Sequence, residues 1–456
     1  MLFSSLTFLY FFLPAVLLCY FLVPERFKNA VLLLFSLLFY AWGEPKYVFL
    51  MVFTIALGWL AGLMMERQRH KKLWLSLSVG TVLLLLGIFK YADFFISSFS
   101  AATSMSIPLL RLALPVGISF YSFQMISYLA DVYRGRVPAQ KSIVKLGCYI
   151  SMFPQLIAGP IVRYSDIIDS LESRRLSTDA AAEGTGRFII GLSKKVIIAN
   201  SMGALCSAFT ASTQQSVLFH WLYALAFTLQ IYYDFSGYSD MAIGLGRLLG
   251  FRFIENFDYP YISRSITEFW RRWHMSLGSW FRDYLYIPMG GNRVSKPRWF
   301  FNIFVVWFCT GFWHGASWNF MVWGLYFALL LVIEKLWLLR LLEKSRILGR
   351  VYTMLLVILG FVIFNAADLP EAMRHIGGLF GAGNIPLYTA ESLYYLRSYA
   401  MLLALAIIGC GPVVKRSLEA LPFAGLLRPI AAVALLVICT AYLVDGSFNP
   451  FLYFRF

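Results

Sequence analysis

Residues 299–333 read WFFNIFVVWFCTGFWHGASWNFMVWGLYFALLLVI, and this stretch decides how the chain folds. It contains no Asp, Glu, Lys or Arg, so it belongs in an apolar environment. A continuous helix of this length would span roughly 50 Å, whereas the hydrocarbon core of a bilayer is about 30 Å thick. The stretch therefore cannot be one straight membrane helix. We expect it to break where small and polar residues cluster, at Gly311, Gly315, Ser317 and Asn319.

The composition of the whole chain is that of a multi-pass membrane protein. Of its 456 residues, 60% are hydrophobic and only 14% are charged, whereas a soluble domain carries about 25% charged residues. Apolar runs recur along the whole chain, and several are short or interrupted by Gly and Pro. We therefore predict an all-α, polytopic membrane protein with roughly eleven to thirteen membrane helices, some of them tilted, re-entrant or interfacial.

The net charge of +16 does not indicate nucleic-acid binding. The Lys and Arg residues lie in short loops between apolar runs, which is the pattern of cytoplasmic loops in membrane proteins. By this rule, the basic segments 66–72, 264–298 and 334–350 face the cytoplasm, while the topology of 146–250 stays open. No nucleic-acid partner is expected, and membrane lipid is the expected surrounding.

We predict one integral membrane domain over 1–456. Residues 1–105 would form N-terminal helices, 106–335 a catalytic core, 336–447 C-terminal helices and 448–456 an aromatic tail. No polar stretch is long enough for a soluble domain.

His314 lies at the predicted break. An ionisable residue at membrane depth is costly and therefore a functional hypothesis. Glycines beside it would allow close backbone approach and local unwinding, as a reaction site needs. The alternative is a buried neutral histidine that bonds a backbone carbonyl.

A second unusual segment, residues 266–293, precedes the charge-free stretch. Ser265 and Glu268 form a capping box that starts a helix at about 266. Up to about 283 its aromatic residues fall on one side and its charged residues on the other, as in an interfacial helix. His274 lies at the seam, where it could act in the site or merely bond a neighbour.

The basic side of this helix suits a phosphate-bearing acyl donor such as coenzyme A. Lipid headgroups are the alternative ligand, because basic interfacial helices bind them as well. The candidate donor-binding residues are Arg271, Arg272, Trp273 and Arg282.

Other charged residues lie inside apolar runs. Asp234 and Asp240 could serve a proton path or bind a cation, or else pair with Arg247 or Arg252, or cap helices. Arg163 follows a Pro- and Gly-interrupted turn and could contact substrate or form a structural ion pair. The six cysteines include no CxxC pair, so we expect no disulfide framework. His274 and His314 have no third residue at metal-ligand spacing, so we expect no metal site.

Taken together, these motifs resemble the membrane-bound O-acyltransferase family, in particular its bacterial alginate O-acetyltransferase type, which is related to the teichoic-acid D-alanylation acyltransferase. The resemblance covers nearly the whole chain. It is most specific in NFDYPYISRSITEFWRRWHMSLGSWFRDYLYIPMGGNR (256–293) and TGFWHGASWNF (310–320), and it extends to 113–135, 154–164 and 230–251.

This resemblance implies a ring of membrane helices around a thin central partition, with a cytosolic donor side and an external acceptor funnel. It implies that His314 is the catalytic general base and His274 the second characteristic histidine. The tail from Phe448 to Phe456 is similar to an F-x-x-F-x-Y-F-R-F ending, in which the tyrosine, here Tyr453, is proposed to carry the acyl group.

The expected function is acetyl transfer from cytosolic acetyl-CoA, a substrate rather than a bound cofactor, to an extracellular or periplasmic alginate-like polysaccharide. A periplasmic SGNH-type partner would complete the transfer, and the location would be the bacterial inner membrane. The alternatives within the enzyme class are peptidoglycan O-acetylation and teichoic-acid D-alanylation. The alternative outside it is a transporter or flippase, although no duplicated half is visible in the sequence.

Overall fold

The computed structural model describes residues 2–67, 70–420, 424–446 and 452. Throughout these ranges the chain forms helices and turns and contains no strand, which confirms the predicted all-α class. The chain divides into two compact units, one made of 1–188 and 238–254, the other of 189–237 and 255–456.

The first unit contains the N-terminal helices and the end of a long buried helix. Its helices are α1 (Leu13–Leu22), α2 (Lys28–Gly43), α3 (Val48–Glu66), α4 (Lys71–Leu86), α5 (Ala92–Thr103), α6 (Ile118–Tyr133), α7 (Ile143–Ser151), α8 (Phe153–Leu156) and α9 (Tyr164–Glu172). Two further helices contribute residues to both units, α10 (Thr178–Ser193) and α12 (Val217–Leu248), with α11 (Asn200–Ala211) between them.

The second unit holds both candidate histidines. Its remaining helices are α13 (Ile266–Arg272), α14 (Met275–Phe281), α15 (Lys296–His314), α16 (Trp318–Ile333), α17 (Leu339–Leu342), α18 (Arg346–Asn365), α19 (Leu369–Leu379), α20 (Ala390–Gly409), α21 (Val413–Glu419) and α22 (Ala424–Asp445).

Among the described residues, six helices are long and apolar enough to cross a membrane, and Phe8–Leu22 is a shorter apolar helix. The multi-pass class is thereby confirmed. Other predicted apolar runs form helices that are shorter or more polar, such as α15 and α16. The six are Val48–Glu66, Lys71–Thr103, Thr178–Ala211, Arg346–Asn365, Ala390–Gly409 and Leu427–Asp445.

The charge-free stretch breaks where the sequence predicted. Helix α15 ends at His314, Gly315 is extended, and α16 begins at Trp318. The two helices then pack along each other at unusually close range. A Cβ atom on Gly311 would lie 2.2 Å from the Phe320 carbonyl oxygen, and one on Gly324 would lie 2.3 Å from that of Trp307. Only glycine allows this approach.

Helix α13 is fixed to the end of α16 by a buried carboxylate. Glu334, which follows α16 and is fully buried, accepts the backbone N–H groups of Ile266 at 2.6 Å and Thr267 at 2.8 Å. Ser265 accepts the Glu268 N–H, so the helix begins where predicted, but the Glu268 carboxylate accepts the Arg264 N–H instead of closing the capping box. The negative charge of Glu334 also suits the positive end of the helix dipole.

The contact between α15 and α16 predicts the effect of a single methyl group. We expect Gly311→Ala to destabilise the protein by about 1–3 kcal/mol, because the added carbon must displace backbone in a packed interface. Gly80→Ala is the control, since Gly80 lies in α4 with open space around it and alanine is intrinsically the better helix former. Thermal unfolding in detergent measures both. A Gly311→Ala midpoint equal to that of Gly80→Ala would contradict the close packing.

Candidate active site

His274 occupies a break in the segment that was predicted as one interfacial helix. That prediction is wrong in two respects. Helix α13 ends at Arg272 and α14 begins at Met275, and His274 between them has φ +44°, a left-handed conformation that is rare for residues other than glycine. The aromatic side is also buried in the protein, with Phe269 and Trp273 among the buried core residues.

Asn256 explains why the break forms. Its backbone carbonyl accepts the Met275 N–H at 3.0 Å, and its side-chain oxygen accepts the backbone N–H of Ser276 at 3.3 Å, as well as the Ser276 hydroxyl at 2.8 Å. These bonds replace those that a continuous helix would have made. The same oxygen lies 3.1 Å from His274 Nδ1. A proton on Nδ1 would be donated to Asn256, which leaves Nε2 as the acceptor nitrogen.

The ring of His274 is held from a second side by Phe235. The two rings meet edge to face with centroids 4.6 Å apart, and the histidine is only 3% exposed. A left-handed backbone, a bond to Asn256 and an aromatic contact together define one orientation of the imidazole. Strained, over-determined residues of this kind cluster at functional sites.

His314 is the last residue of α15, and aromatic rings hold it. Its ring makes edge-to-face contacts with Trp323 and Phe364, both with centroids 5.2 Å apart. Asn319 also supports this arrangement. It is 1% exposed, and its amide donates to the Ala366 carbonyl at 2.8 Å, which ties the start of α16 to the end of α18, where Phe364 lies. The candidate Asn319 thus positions the histidine's neighbours.

The two histidines line one cavity of about 210 Å³. Trp313 directly precedes His314 in the chain, and its ring centroid lies 6.0 Å from that of His274. The cavity walls are mostly aromatic and aliphatic, which keeps competing water away from a reacting group. The lining residues are Trp270, Trp273, His274, Leu277, Gly278, Phe281, Arg282, Tyr286, Ile303, Val306, Trp307, Thr310, His314, Leu331 and Lys335.

Two exposed cations, Arg282 and Lys335, line the same cavity, and Arg282 pairs with Asp283 at 2.8 Å. Of the other donor-binding candidates, Trp273 lines the cavity, whereas Arg271 is exposed but not part of the lining. Arg272 is bound in ion pairs with Glu268 at 3.0 Å and Asp258 at 2.9 Å.

The sequence of this chain matches known proteins. The family model for the membrane-bound O-acyltransferase family, MBOAT, matches residues 140–366, which include both histidines. The chain is 39% identical to a protein described as "Probable alginate O-acetylase AlgI" from Azotobacter vinelandii, over 100% of both chains. The chain belongs to the membrane-bound O-acyltransferase family. It is therefore a multi-pass membrane enzyme that transfers an acyl group to an oxygen.

More distant relatives carry other names. The peptidoglycan O-acetyltransferase of Helicobacter pylori is 34% identical over 85% of this chain and 81% of its own. The teichoic acid D-alanyltransferase of Bacillus subtilis is 29% identical over 47% of this chain and 58% of its own.

Asp234 and Asp240 of this O-acyltransferase form ion pairs, as one of the sequence interpretations held, but not with the predicted partners. Asp234 lies 2.7 Å from Lys195, and Asp240 lies 2.9 Å from Arg187. Arg247 instead pairs with Glu183 at 3.0 Å. The partners come from α10 and the π-helical turn Lys194–Ala199, which pack beside α12 and could not be recognised from sequence distance.

Two further candidates are Arg163 and Tyr453, and Arg163 does not line the cavity. Arg163 precedes α9 in the first unit, where its backbone N–H donates to Asp166 at 3.0 Å. Tyr453, the acyl-carrier candidate, lies outside the described residues. Conversely, the sequence did not point to Asn256 or Lys335. Asn256 has no recognisable pattern, whereas Lys335 is the first cation after the charge-free stretch and could have been noticed there.

Removing the Asn256 side chain that holds His274 should reduce acyl transfer by more than any loss of folded protein accounts for. We expect Asn256→Ala to lower turnover by about tenfold or more, because a misplacement of about 1 Å at a reacting group can cost about 10²-fold. Asn256→Asp keeps an oxygen acceptor and should retain more activity. The measurement is acyl transfer by purified protein, corrected for the folded fraction. Undiminished turnover in Asn256→Ala would show that the orientation of His274 does not matter.

Proposed function

We propose that this enzyme moves an acetyl group from cytosolic acetyl-CoA across the bacterial inner membrane for O-acetylation of an extracellular or periplasmic polysaccharide of the alginate type. One observation carries the proposal: two positioned histidines share an aromatic cavity whose exposed side bears cations. A thioester donor with a charged, phosphate-bearing end and an uncharged reactive end matches such a cavity.

The relatives support the acetyl group and the acceptor. The full-length match is named an alginate O-acetylase, and a more distant relative is named a peptidoglycan O-acetyltransferase, so O-acetylation is common to both names. The D-alanyltransferase match covers about half of this chain. Acetylation of an alginate-like polymer is therefore our first assignment, with peptidoglycan O-acetylation second.

The cavity supports a particular arrangement of the donor. The acetylated end of the pantetheine arm would lie in the cavity beside the two histidines. The nucleotide would stay at the exposed side, where Arg282 and Lys335 would attract its phosphates. Residues 264–298 and 334–350, which carry these cations, are the basic segments assigned to the cytoplasmic side. Arg271 would add positive charge nearby.

The chemistry needs one proton acceptor and a dry thioester. His314 would take the proton from the acceptor hydroxyl as the oxygen attacks the acetyl carbonyl. The carbon–sulfur bond then breaks, the thiolate leaves, and the proton passes from His314 to sulfur to give free coenzyme A. His274, oriented by Asn256, would polarise the carbonyl or hold the donor. The aromatic lining would keep water from hydrolysing the thioester.

The acceptor hydroxyl would be that of Tyr453, which would carry the acetyl group as an ester. A periplasmic SGNH-type acetyltransferase partner would then move it to a sugar hydroxyl of the polymer. The chain has no polar stretch long enough to perform this second transfer outside the membrane.

The proposed base gives the first test of function. We expect His314→Ala to lower acetyl transfer about 10²–10⁴-fold, the usual contribution of a positioned general base. His70→Asn is the matched control, because His70 is exposed, lies in the first unit and has a left-handed backbone that asparagine tolerates. The measurement is transfer of labelled acetyl from acetyl-CoA by purified protein. Turnover of His314→Ala at the control rate would exclude His314 as the base.

The exposed cations give a separate test of the donor site. We expect the double variant Arg282→Gln, Lys335→Gln to raise the KM for acetyl-CoA several-fold with little change in kcat, because the charges act on the nucleotide end and not on the reacting bond. The effect should shrink at high salt, where exposed charges are screened. Arg298→Gln, an exposed cation that does not line the cavity, is the control. An unchanged KM would place the donor elsewhere.

A further inference from the structure

A buried ion pair lies away from the cavity, and the mechanism does not use it. Lys195 Nζ and Asp234 Oδ1 are 2.7 Å apart, and their side chains are only 2% and 3% exposed. Removing two charges from water is unfavourable, and such a pair usually needs further hydrogen bonds to be tolerated. An intramembrane pair is also a functional hypothesis by default.

The second oxygen of Asp234 binds Leu452, a residue of the C-terminal tail. Asp234 Oδ2 accepts the backbone N–H of Leu452 at 3.0 Å, across 218 residues of sequence. The Leu452 side chain is 3% exposed and belongs to the same buried cluster as Trp273, Phe320 and Trp323. A charged acceptor makes this backbone hydrogen bond stronger than a neutral one. Both the polar and the apolar part of Leu452 are therefore anchored in the second unit.

Helix α12 connects this anchor to the candidate active site. Phe235, the next residue after Asp234, makes the edge-to-face contact with His274 at 4.6 Å. The helix also packs closely against α10 and the turn that carries Lys195, because a Cβ atom on Gly237 would lie 2.7 Å from the Gly191 carbonyl oxygen and 3.2 Å from the Lys195 backbone nitrogen. Consecutive residues of one rigid helix thus contact the tail and the histidine.

We propose that the Lys195–Asp234 pair is the docking site of the C-terminal tail and positions Tyr453, the residue that follows Leu452. Lys195 lies against Oδ1 of Asp234, and Oδ2 accepts the Leu452 N–H. Asp234 is then a positioning residue for acyl transfer. The docking rests on the contacts above, and only the consequence for acetylation rests on the proposed carrier role of Tyr453.

Amide hydrogen exchange tests the docking directly. Full-length protein in detergent is exchanged and the C-terminal peptide is analysed by mass spectrometry with residue-level fragmentation. We expect the Leu452 amide of the wild type to exchange at least tenfold more slowly than in an unstructured peptide, and Asp234→Ala to remove most of that protection. Asp234→Asn keeps a neutral acceptor and should give intermediate protection.

Asp240→Asn is the matched control, since Asp240 lies six residues further along α12 and pairs with Arg187 instead of the tail. It should leave Leu452 protected. Equal protection of Leu452 in Asp234→Ala and Asp240→Asn would overturn the docking proposal.

Acetylation in the same variants separates the two proposals. We expect Asp234→Ala to lower polymer acetylation towards the level of Tyr453→Phe, while Asp240→Asn stays near wild type and acetyl-CoA binding is unchanged in all three. Loss of Leu452 protection with undiminished acetylation would keep the docking site but overturn its positioning role. If Tyr453→Phe itself acetylates normally, the carrier role in the proposed function fails, and the exchange result still decides the docking.

Discussion

The close contact between α15 and α16 is the constraint on which the site depends. A stretch of 35 residues without charge is too long for one membrane helix, so it must turn back on itself, and the turn leaves His314 at the end of the first helix. Gly311 and Gly324 then let the two backbones approach until side chains larger than hydrogen would collide. This approach brings Trp323 against the imidazole. Asn319 ties the start of α16 to the end of α18 and so holds Phe364 against the same ring.

The charged residues discussed for the second unit fall into two groups. Charges that hold the structure are buried and satisfied, as with Glu334 on the start of α13 and Asp234 with Lys195. The charges on the cavity lining, Arg282 and Lys335, are exposed, and Arg282 pairs with Asp283 at 2.8 Å. This division agrees with a donor whose charged end stays in water while its reactive end enters an apolar cavity. None of the described residues that line the cavity is Asp or Glu.

Much of this could be predicted from the sequence, where the signal is strong and local. Absence of charge predicted the membrane class, and the cluster of glycines and polar residues predicted the break at His314. The break at His274 was not predictable, because it depends on Asn256, 18 residues away, whose oxygens replace helical hydrogen bonds. The partners of Asp234 and Asp240 were missed for a similar reason: helix packing brings together residues that are 39 and 53 positions apart. The spacing of residues along the sequence does not predict such contacts.

The most direct test of the account is a structure determined by electron microscopy with a non-hydrolysable acetyl-CoA analogue bound. The account predicts that the acyl carbon lies between His274 and His314, within about 3–3.5 Å of where an attacking oxygen could be held, and that the nucleotide end lies at Arg282 and Lys335. Density for the acyl group outside this cavity, or a donor whose nucleotide lies far from both cations, would contradict it.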